Sequence, residues 1–257
     1  MTKILMLGDV TSPAAAAYVA ASLPAYRAKN GIDLVTVNAE NAGFILGPTP
    51  ETAKLLLGGG ADVLTGGNHT MQNYSLLGAL DDMPNVLRPA NYPAAAPGGG
   101  AVIVKTAHGV RVLVISLLGR VHMEPPLGSP FEAADRVLER HRGRYDLALV
   151  DFHAEATGEK MALGHYLDGR VTAVVGTHTH VPTADLTILP RGTGYVTDLG
   201  MCGPRGSILG IEPSDVVDRY LTAVNHRFHP AEGKIEAQGV LLVTEGKRVV
   251  ATERVVL

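Results

Sequence analysis

The sequence predicts an α/β protein in which two mixed β-sheets pack face to face with helices outside, and three observations predict it. Short apolar runs without alternation, the mark of strands buried on both faces, recur between helical segments. Two stretches read instead as hairpins, so antiparallel strands join a parallel core. Polar residues of metal-binding type stand where the apolar runs stop, and open α/β sheets collect ligands beyond the carboxyl ends of their strands.

Ile4-Leu5-Met6-Leu7 is the first run and ends at Gly8-Asp9. Pro13 opens an Ala-rich helix over Ala14 to Lys29, which Asn30-Gly31 stops. Leu34-Val35-Thr36-Val37 completes a βαβ unit and ends at Asn38-Ala39-Glu40-Asn41. Thr49-Pro50-Glu51 starts the next helix, with a capping hydroxyl, Pro at the first helical position and an early acid. Gly58-Gly59-Gly60 ends it, and Val63-Leu64-Thr65 runs out at Gly67-Asn68-His69.

After Asn91 the rhythm changes. Pro93 to Gly100 reads as a loop, and Ala101 to Val104 and Val110 to Ile115 flank His108-Gly109 as a hairpin. A helix follows from Phe131 to Arg142, then Leu147-Ala148-Leu149-Val150 ends at Asp151-Phe152-His153. A helix over Glu159 to Leu167 leads into Thr172-Ala173-Val174-Val175, which ends at Gly176-Thr177-His178-Thr179-His180. Strands at Asp185 to Leu189 and Tyr195 to Thr197 surround Pro190-Arg191-Gly192. A helix near Val216 to Asn225 precedes a last hairpin, Val240 to Val243 with Val249-Val250, turning at Glu245-Gly246-Lys247. There is no internal repeat.

The chain has 257 residues, enough for one large α/β domain. Charged residues make up 18% against a usual ~25%, so much of the chain is expected to be interior or contact between copies in a homo-oligomer. A net charge of −3 supplies no basic stripe for a long nucleic acid. The single cysteine, Cys202, excludes an internal disulfide and reads as a small buried residue. The opening apolar run is too short for a signal peptide, and no stretch approaches the ~18 apolar residues of a membrane span. A soluble, cytoplasmic protein is expected.

His178 and His180 stand two apart, sharing a face if the strand continues and free to diverge to two ions in a loop. Imidazole with carboxylate and amide oxygen suits iron, manganese or zinc, and without thiolates a structural zinc site is not expected. One ion is expected at Asp9 and His180, a second at Asn68, His153 and His178, with Glu40 bridging. Two cations ~3.5–4 Å apart generate a hydroxide nucleophile and stabilise both oxygens of an in-line phosphoryl displacement. His69, beside a ligand but free of the ions, is placed to act as general acid, a step worth about 10²–10⁴ in rate.

Each residue alone has a plainer reading: Asp9 a cap, Glu40-Asn41 a turn, Asn68 the cap of a helix near Thr70, His69 and His153 satisfied core histidines. The same bias at five strand ends outweighs them. His108, His141, His165, His226 and His229 read as surface residues, and His122 as a candidate for the pocket. There is no G-x-x-x-x-G-K-S/T phosphate loop and no G-x-S-x-G elbow, and Ser116 and Ser129 have no triad context.

The blocks Gly8-Asp9-Val10, Asn38 to Asn41, Gly66 to His69, Asp151 to Lys160 (DFHAEATGEK), Gly176 to Asp185 (GTHTHVPTAD) and Tyr195 to Pro204 together resemble the YmdB-like branch of the calcineurin-type metallophosphoesterases. The resemblance implies one metallophosphoesterase domain over residues 1–257, a four-layer αββα sandwich. It implies a dinuclear centre of iron or manganese, with zinc or magnesium as alternatives. The implied reaction is hydrolysis of 2′,3′-cyclic nucleotides to 3′-nucleotides. Carried onto this sequence, Asp9, Glu40, Asn41 and His180 hold one ion and Glu40, Asn68, His153 and His178 the other; Asn41 is added by the resemblance alone. Two features depart from the wider pattern. Asp9-Val10-Thr11 lacks the His of the Asp-x-His motif, which fits this branch. The loop Ala42 to Gly47 is unusually apolar, and Met71 stands where an aromatic is usual. A phosphomonoesterase on the same ions, or a regulatory protein with incidental hydrolysis, are the competing expectations.

Overall fold

In the computed structural model, which describes residues 1–225 and 227–257, the apolar runs become the strands of two sheets. His226, read above as a surface residue, lies outside the described residues. In chain order the elements are β1 (Thr2–Leu7), β2 (Asp9–Val10), α1 (Pro13–Asn30), β3 (Leu34–Asn38), α2 (Pro50–Gly58), β4 (Val63–Thr65), the short α3 (Tyr74–Leu77), β5 (Ala101–Lys105) and β6 (Arg111–Leu118). Then follow α4 (Pro130–Arg140), β7 (Leu147–His153), α5 (Thr157–Leu167), β8 (Ala173–Thr177), β9 (Thr187–Ile188), β10 (Gly194–Val196), β11 (Met201–Pro204), α6 (Pro213–Thr222), β12 (Ile235–Glu245) and β13 (Arg248–Val256).

The first sheet is ordered β2-β11-β12-β1-β3-β4 with β13 on β12, the second β5-β6-β7-β8-β10-β9. β1, β3 and β4 are parallel, as are β6, β7 and β8, while β5 and the β12-β13 hairpin run antiparallel. Local chemistry sets the helix ends. The Ser12 hydroxyl accepts from the Ala15 N–H to start α1, and Gly31 closes it at φ 62°, a left-handed turn that glycine adopts without strain. Thr49 and Thr52 form the reciprocal cap of α2.

Side-chain alternation along the strands separates three apolar layers. Leu5, Leu7, Val35 and Val37 face outward onto Val19 and Leu23 of α1 and Leu56 of α2. Ile4, Met6 and Leu34 face inward and meet Val112, Val114, Leu147 and Val175 of the other sheet. Leu113, Ile115, Val150 and Phe152 face outward beneath Ala134 and Leu138 of α4 and Leu163 and Leu167 of α5. A period of two in strands flanked by helices on both sides produces this order of helix, sheet, sheet, helix, and the αββα sandwich is therefore observed.

Two differences concern the site. The strand expected at Asp185 to Leu189 shrinks to β9, because the Asp185 carboxylate turns back to accept from the Thr183 hydroxyl and from the N–H and hydroxyl of Thr197. The pair β2 and β11 has no apolar run to announce it; it joins Asp9 to Met201 and seats Asp9 at the sheet edge. The helix near Val216 to Asn225 is α6, stopped by Ala223 at φ 56°. Among the described residues no helix is long and apolar enough to cross a membrane.

Candidate metal centre

Strand registers bring the polar ends together. His153 pairs with Thr177 across β7 and β8, and Asn38 with Thr65 across β3 and β4, so the two parallel blocks end level with one another. Asp9, Glu40 and His153 are fully buried there, and Asn41, Asn68, His69, His178 and His180 are half-buried around them. All eight residues singled out in the sequence thus stand in one cluster.

The backbone has been shaped to admit these side chains. A Cβ on Gly67 would lie 2.2 Å from the His153 ring, so only glycine allows the turn before Asn68 to rest on the imidazole. Gly67→Ala is expected to destabilise the fold by about 1–3 kcal/mol, the usual cost of overpacking, and to abolish turnover by displacing His153; thermal unfolding and activity measured side by side check it. His178 and His180 themselves have φ of 101° and 61°. Left-handed backbone at non-glycine residues costs free energy and persists where surrounding structure holds it.

His153 Nε2 lies 3.1 Å from Asn68 Oδ1, 3.0 Å from His178 Nδ1 and 3.6 Å from Glu40 Oε1. His180 Nε2 lies 3.5 Å from Asp9 Oδ1 and 3.4 Å from the Asn41 amide nitrogen. Asn41 Oδ1 accepts from His69 Nδ1 at 2.9 Å, so Asn41 reaches His180 through Nδ2, and its oxygen joins the His180 set only when the amide is turned over.

Each of the three inner imidazoles has its outer nitrogen tied to an acceptor. His178 Nε2 meets Glu155 Oε2 at 3.1 Å, and His180 Nδ1 meets the Leu209 carbonyl at 3.0 Å. His153 Nδ1 meets the Thr177 hydroxyl at 3.0 Å, and that hydroxyl already donates its one proton to Asp151 Oδ1 at 2.7 Å, so it accepts from the ring. All three rings therefore carry their proton outward and turn a bare nitrogen inward, the tautomer that ligation requires.

Electrostatics agree for His153 and His178, whereas His180 carries a proton toward Asp9 more readily until a cation displaces it. Burial pushes His153 well below the ordinary imidazole range and lowers His178, keeping both neutral. Burial would lower His180 too, but the Asp9 carboxylate outweighs it and holds the ring above its usual value. Burial would raise Asp9; the His180 and His153 rings and the His178 N–H overcome it and keep the carboxyl below the usual carboxylate range. Burial pushes Glu40 up to about 8 and Asp151 up to about 6, the latter despite hydrogen bonds from Thr65, Thr177 and Asn38.

The donors fit divalent ions. Asp9 Oδ1 is buried with no hydrogen-bond partner, a cost that a cation removes. Donor atoms bonded to one ion at roughly 2.0–2.2 Å stand roughly 3 Å apart, close to the separations around His153 Nε2. This is not a ready-made cage of acids and histidines: among the described residues no group of three or more His, Cys, Asp or Glu is arranged to hold an ion. The Asn68 amide oxygen completes the set around His153 and His178, and that of Asn41 joins the His180 set once its amide is turned over. Oxygen and imidazole donors without thiolate suit divalent ions such as iron, manganese or zinc.

Several partners escaped sequence reasoning. Glu155 and Thr177 were inside recognisable blocks but were not assigned a task; Asn38, Thr65 and Asp151 form the buried floor beneath Thr177. The Leu209 carbonyl leaves no trace in side-chain chemistry. His122, offered as a pocket residue, is instead exposed at φ 58° after β6 and makes no hydrogen bond or ion pair to the cluster among the described residues. Met71 is partly buried against the apolar layer under α1 and α2. The apolar loop does border it: Phe44 and Ile45 both have φ of 62°, and a Cβ on Gly47 would meet the His69 carbonyl at 2.5 Å.

Two mixed sheets with a polar cluster at the ends of β3, β4, β7 and β8 define the metallophosphoesterase fold. A candidate 5′-nucleotidase from Staphylococcus aureus, 16% identical, shares that fold with a TM-score of 0.57 over 99% of this chain and 54% of its own. The chain belongs to the YmdB-like protein family, whose model matches residues 5–255. It is 42% identical over 257 residues to the 2′,3′-cyclic-nucleotide 2′-phosphodiesterase of Bacillus subtilis, covering 99% of this chain and 97% of that one. A crystal structure of a hypothetical protein from Thermus thermophilus, 41% identical, superposes with a TM-score of 0.91 over 100% of this chain and 99% of the other.

Proposed function

We propose that this enzyme is a phosphodiesterase that uses two divalent ions to hydrolyse small phosphoesters, 2′,3′-cyclic nucleotides foremost, to 3′-nucleotides. The observation that carries the reading is the set of three imidazoles with bare inward nitrogens around the buried carboxylates Asp9 and Glu40. The name of the Bacillus subtilis relative supplies the substrate class.

Asp9, Asn41 and His180 would hold one ion and Asn68, His153 and His178 the other, with Glu40 offering an oxygen to each. Iron or manganese bound there would supply a nucleophile at neutral pH and offset charge on the attacking and leaving oxygens. The protein's part is orientation and proton transfer. Glu155, Leu209 and Thr177 fix the ring tautomers. His69 is anchored by its backbone N–H to Glu40 Oε1 at 2.8 Å and by Nδ1 to the Asn41 side-chain amide, which leaves Nε2 to give a proton to the departing ribose oxygen as the P–O2′ bond breaks.

Metal-free protein reloaded with manganese or iron is expected to convert 2′,3′-cyclic AMP to 3′-AMP, identified by chromatography, and to do so only when loaded. Turnover of simple monoesters with none of the cyclic ester would replace the phosphodiesterase reading with a phosphomonoesterase. Stoichiometric metal uptake with no hydrolysis of either would favour the regulatory alternative.

A further inference from the structure

Lys160 and Asp198 form a buried ion pair that the proposed chemistry does not use. The Lys160 side chain is 2% exposed and that of Asp198 0%, and Lys160 Nζ donates to Asp198 Oδ2 at 2.9 Å. The same carboxylate oxygen accepts from the Thr179 N–H at 3.1 Å and the Thr179 hydroxyl at 2.8 Å, while Oδ1 accepts from the Gly200 N–H at 2.9 Å. Behind Asp198 its own N–H donates to the Thr183 hydroxyl at 2.9 Å, which donates to Asp185 at 2.6 Å, and Arg254 donates to the carbonyls of Thr183, Asp198 and Leu199. The lysine stem reaches this point across Gly176, where a Cβ would stand 3.0 Å from Lys160 Cδ.

Thr179 is the residue between His178 and His180, both left-handed. Reversals on both sides of Thr179 carry one imidazole to His153 and the other to Asp9, and such backbone relaxes unless other contacts over-determine it. The contact available to the middle residue is Asp198, and Lys160 is its countercharge. We infer that Lys160 and Asp198 are positioning residues: through Thr179 they hold the His178-Thr179-His180 turn so that its two rings serve the two ion sites separately. The inference rests on the metal reading above. It assigns a task to Lys160 in the DFHAEATGEK block and to Thr179 in the GTHTHVPTAD block.

A buried ion pair is weak support for stability, and replacing both partners together by neutral groups is tolerated far better than stranding one charge. The test therefore uses the double variant Lys160→Met/Asp198→Asn and, separately, Thr179→Val, which keeps the ion pair and removes the hydroxyl link. Manganese affinity by titration calorimetry, the manganese EPR spectrum, and kcat and KM are measured on each full-length protein. The double variant is expected to bind manganese about 10–100-fold more weakly, the range found when partners behind a ligand are removed. It should lose the exchange-coupled two-ion spectrum, and its kcat should fall with KM little changed; Thr179→Val should move in the same direction by less. If the double variant fails to fold, Thr179→Val decides. Wild-type affinity, spectrum and kcat in the variants that fold, with only the melting temperature lowered, would overturn the inference and leave the metal reading standing. Wild-type protein that binds no ion overturns both.

Discussion

Glu40→Gln is expected to lower kcat/KM by at least about 10³ and to reduce bound metal from two ions to one or none. Glu40 is a fully buried acid, proposed above to serve both ions. Its Oε1 accepts from the His69 N–H at 2.8 Å, its Oε2 accepts from the Thr70 hydroxyl at 3.2 Å, and Oε1 lies 3.6 Å from His153 Nε2. An amide has one acceptor oxygen and no charge, so it can keep one of these donors but cannot offer an anionic oxygen to each of two cations. Metal content by mass spectrometry and turnover are the first measurements.

A second measurement separates lost chemistry from lost structure. Without ions, burial raises the Glu40 carboxyl to about 8, so the folded state holds a proton that the unfolded chain releases near 4.3. A carboxyl raised in the folded state contributes stability that is complete below the unfolded value and is lost as pH rises through the folded one. Metal-free wild type should therefore melt at progressively lower temperature from about pH 4.5 to about 8, and saturating manganese should remove that decline by holding the carboxylate ionised. Glu40→Gln should melt with a shallower dependence over the same range. A metal-free wild type whose melting temperature is flat from pH 5 to 8 would contradict the isolation of this acid.

The ligand positions could be read from the sequence because burial and chemistry change together at a strand end. Val37 and Val150 are apolar interior, and Asn38 to Asn41 and Asp151 to His153 follow within a few residues. The groups that orient those ligands could not be found that way. Leu209 acts through its carbonyl, 29 residues from His180. Asp198 lies 38 residues from Lys160 and was masked by the Asp-Leu-Gly sequence of an ordinary turn. β2 and β11 are two and four residues long and carry Asp, Gly and Pro, so neither alternation nor an apolar run marks them. The layered core was legible by contrast, since unalternating apolar runs between helical segments mark strands buried on both faces.

Removing the ring of His69 should leave the ions bound and the reaction slow. His69→Ala is expected to lower kcat by about 10²–10³ with metal content and KM near wild type, because the ring is not itself among the proposed donors and touches them only at Asn41 and Glu40. Its N–H bond to Glu40 comes from the backbone and survives the substitution. The size of the loss should depend on the departing oxygen. A ribose alkoxide needs a proton as its bond to phosphorus breaks, whereas p-nitrophenolate leaves unaided, so the deficit on a p-nitrophenyl phosphodiester should be tenfold or less. pH supplies an independent check. Burial, and then the nearby His178 and His180, hold His69 below the ordinary imidazole value, so its acid form is scarce at neutral pH and grows as pH falls. The ratio of wild-type to His69→Ala rates on the cyclic ester should therefore be greatest at the acid end of the active range and shrink as pH rises. A ratio independent of both pH and leaving group would mean that His69 positions Asn41 through their 2.9 Å hydrogen bond and transfers no proton.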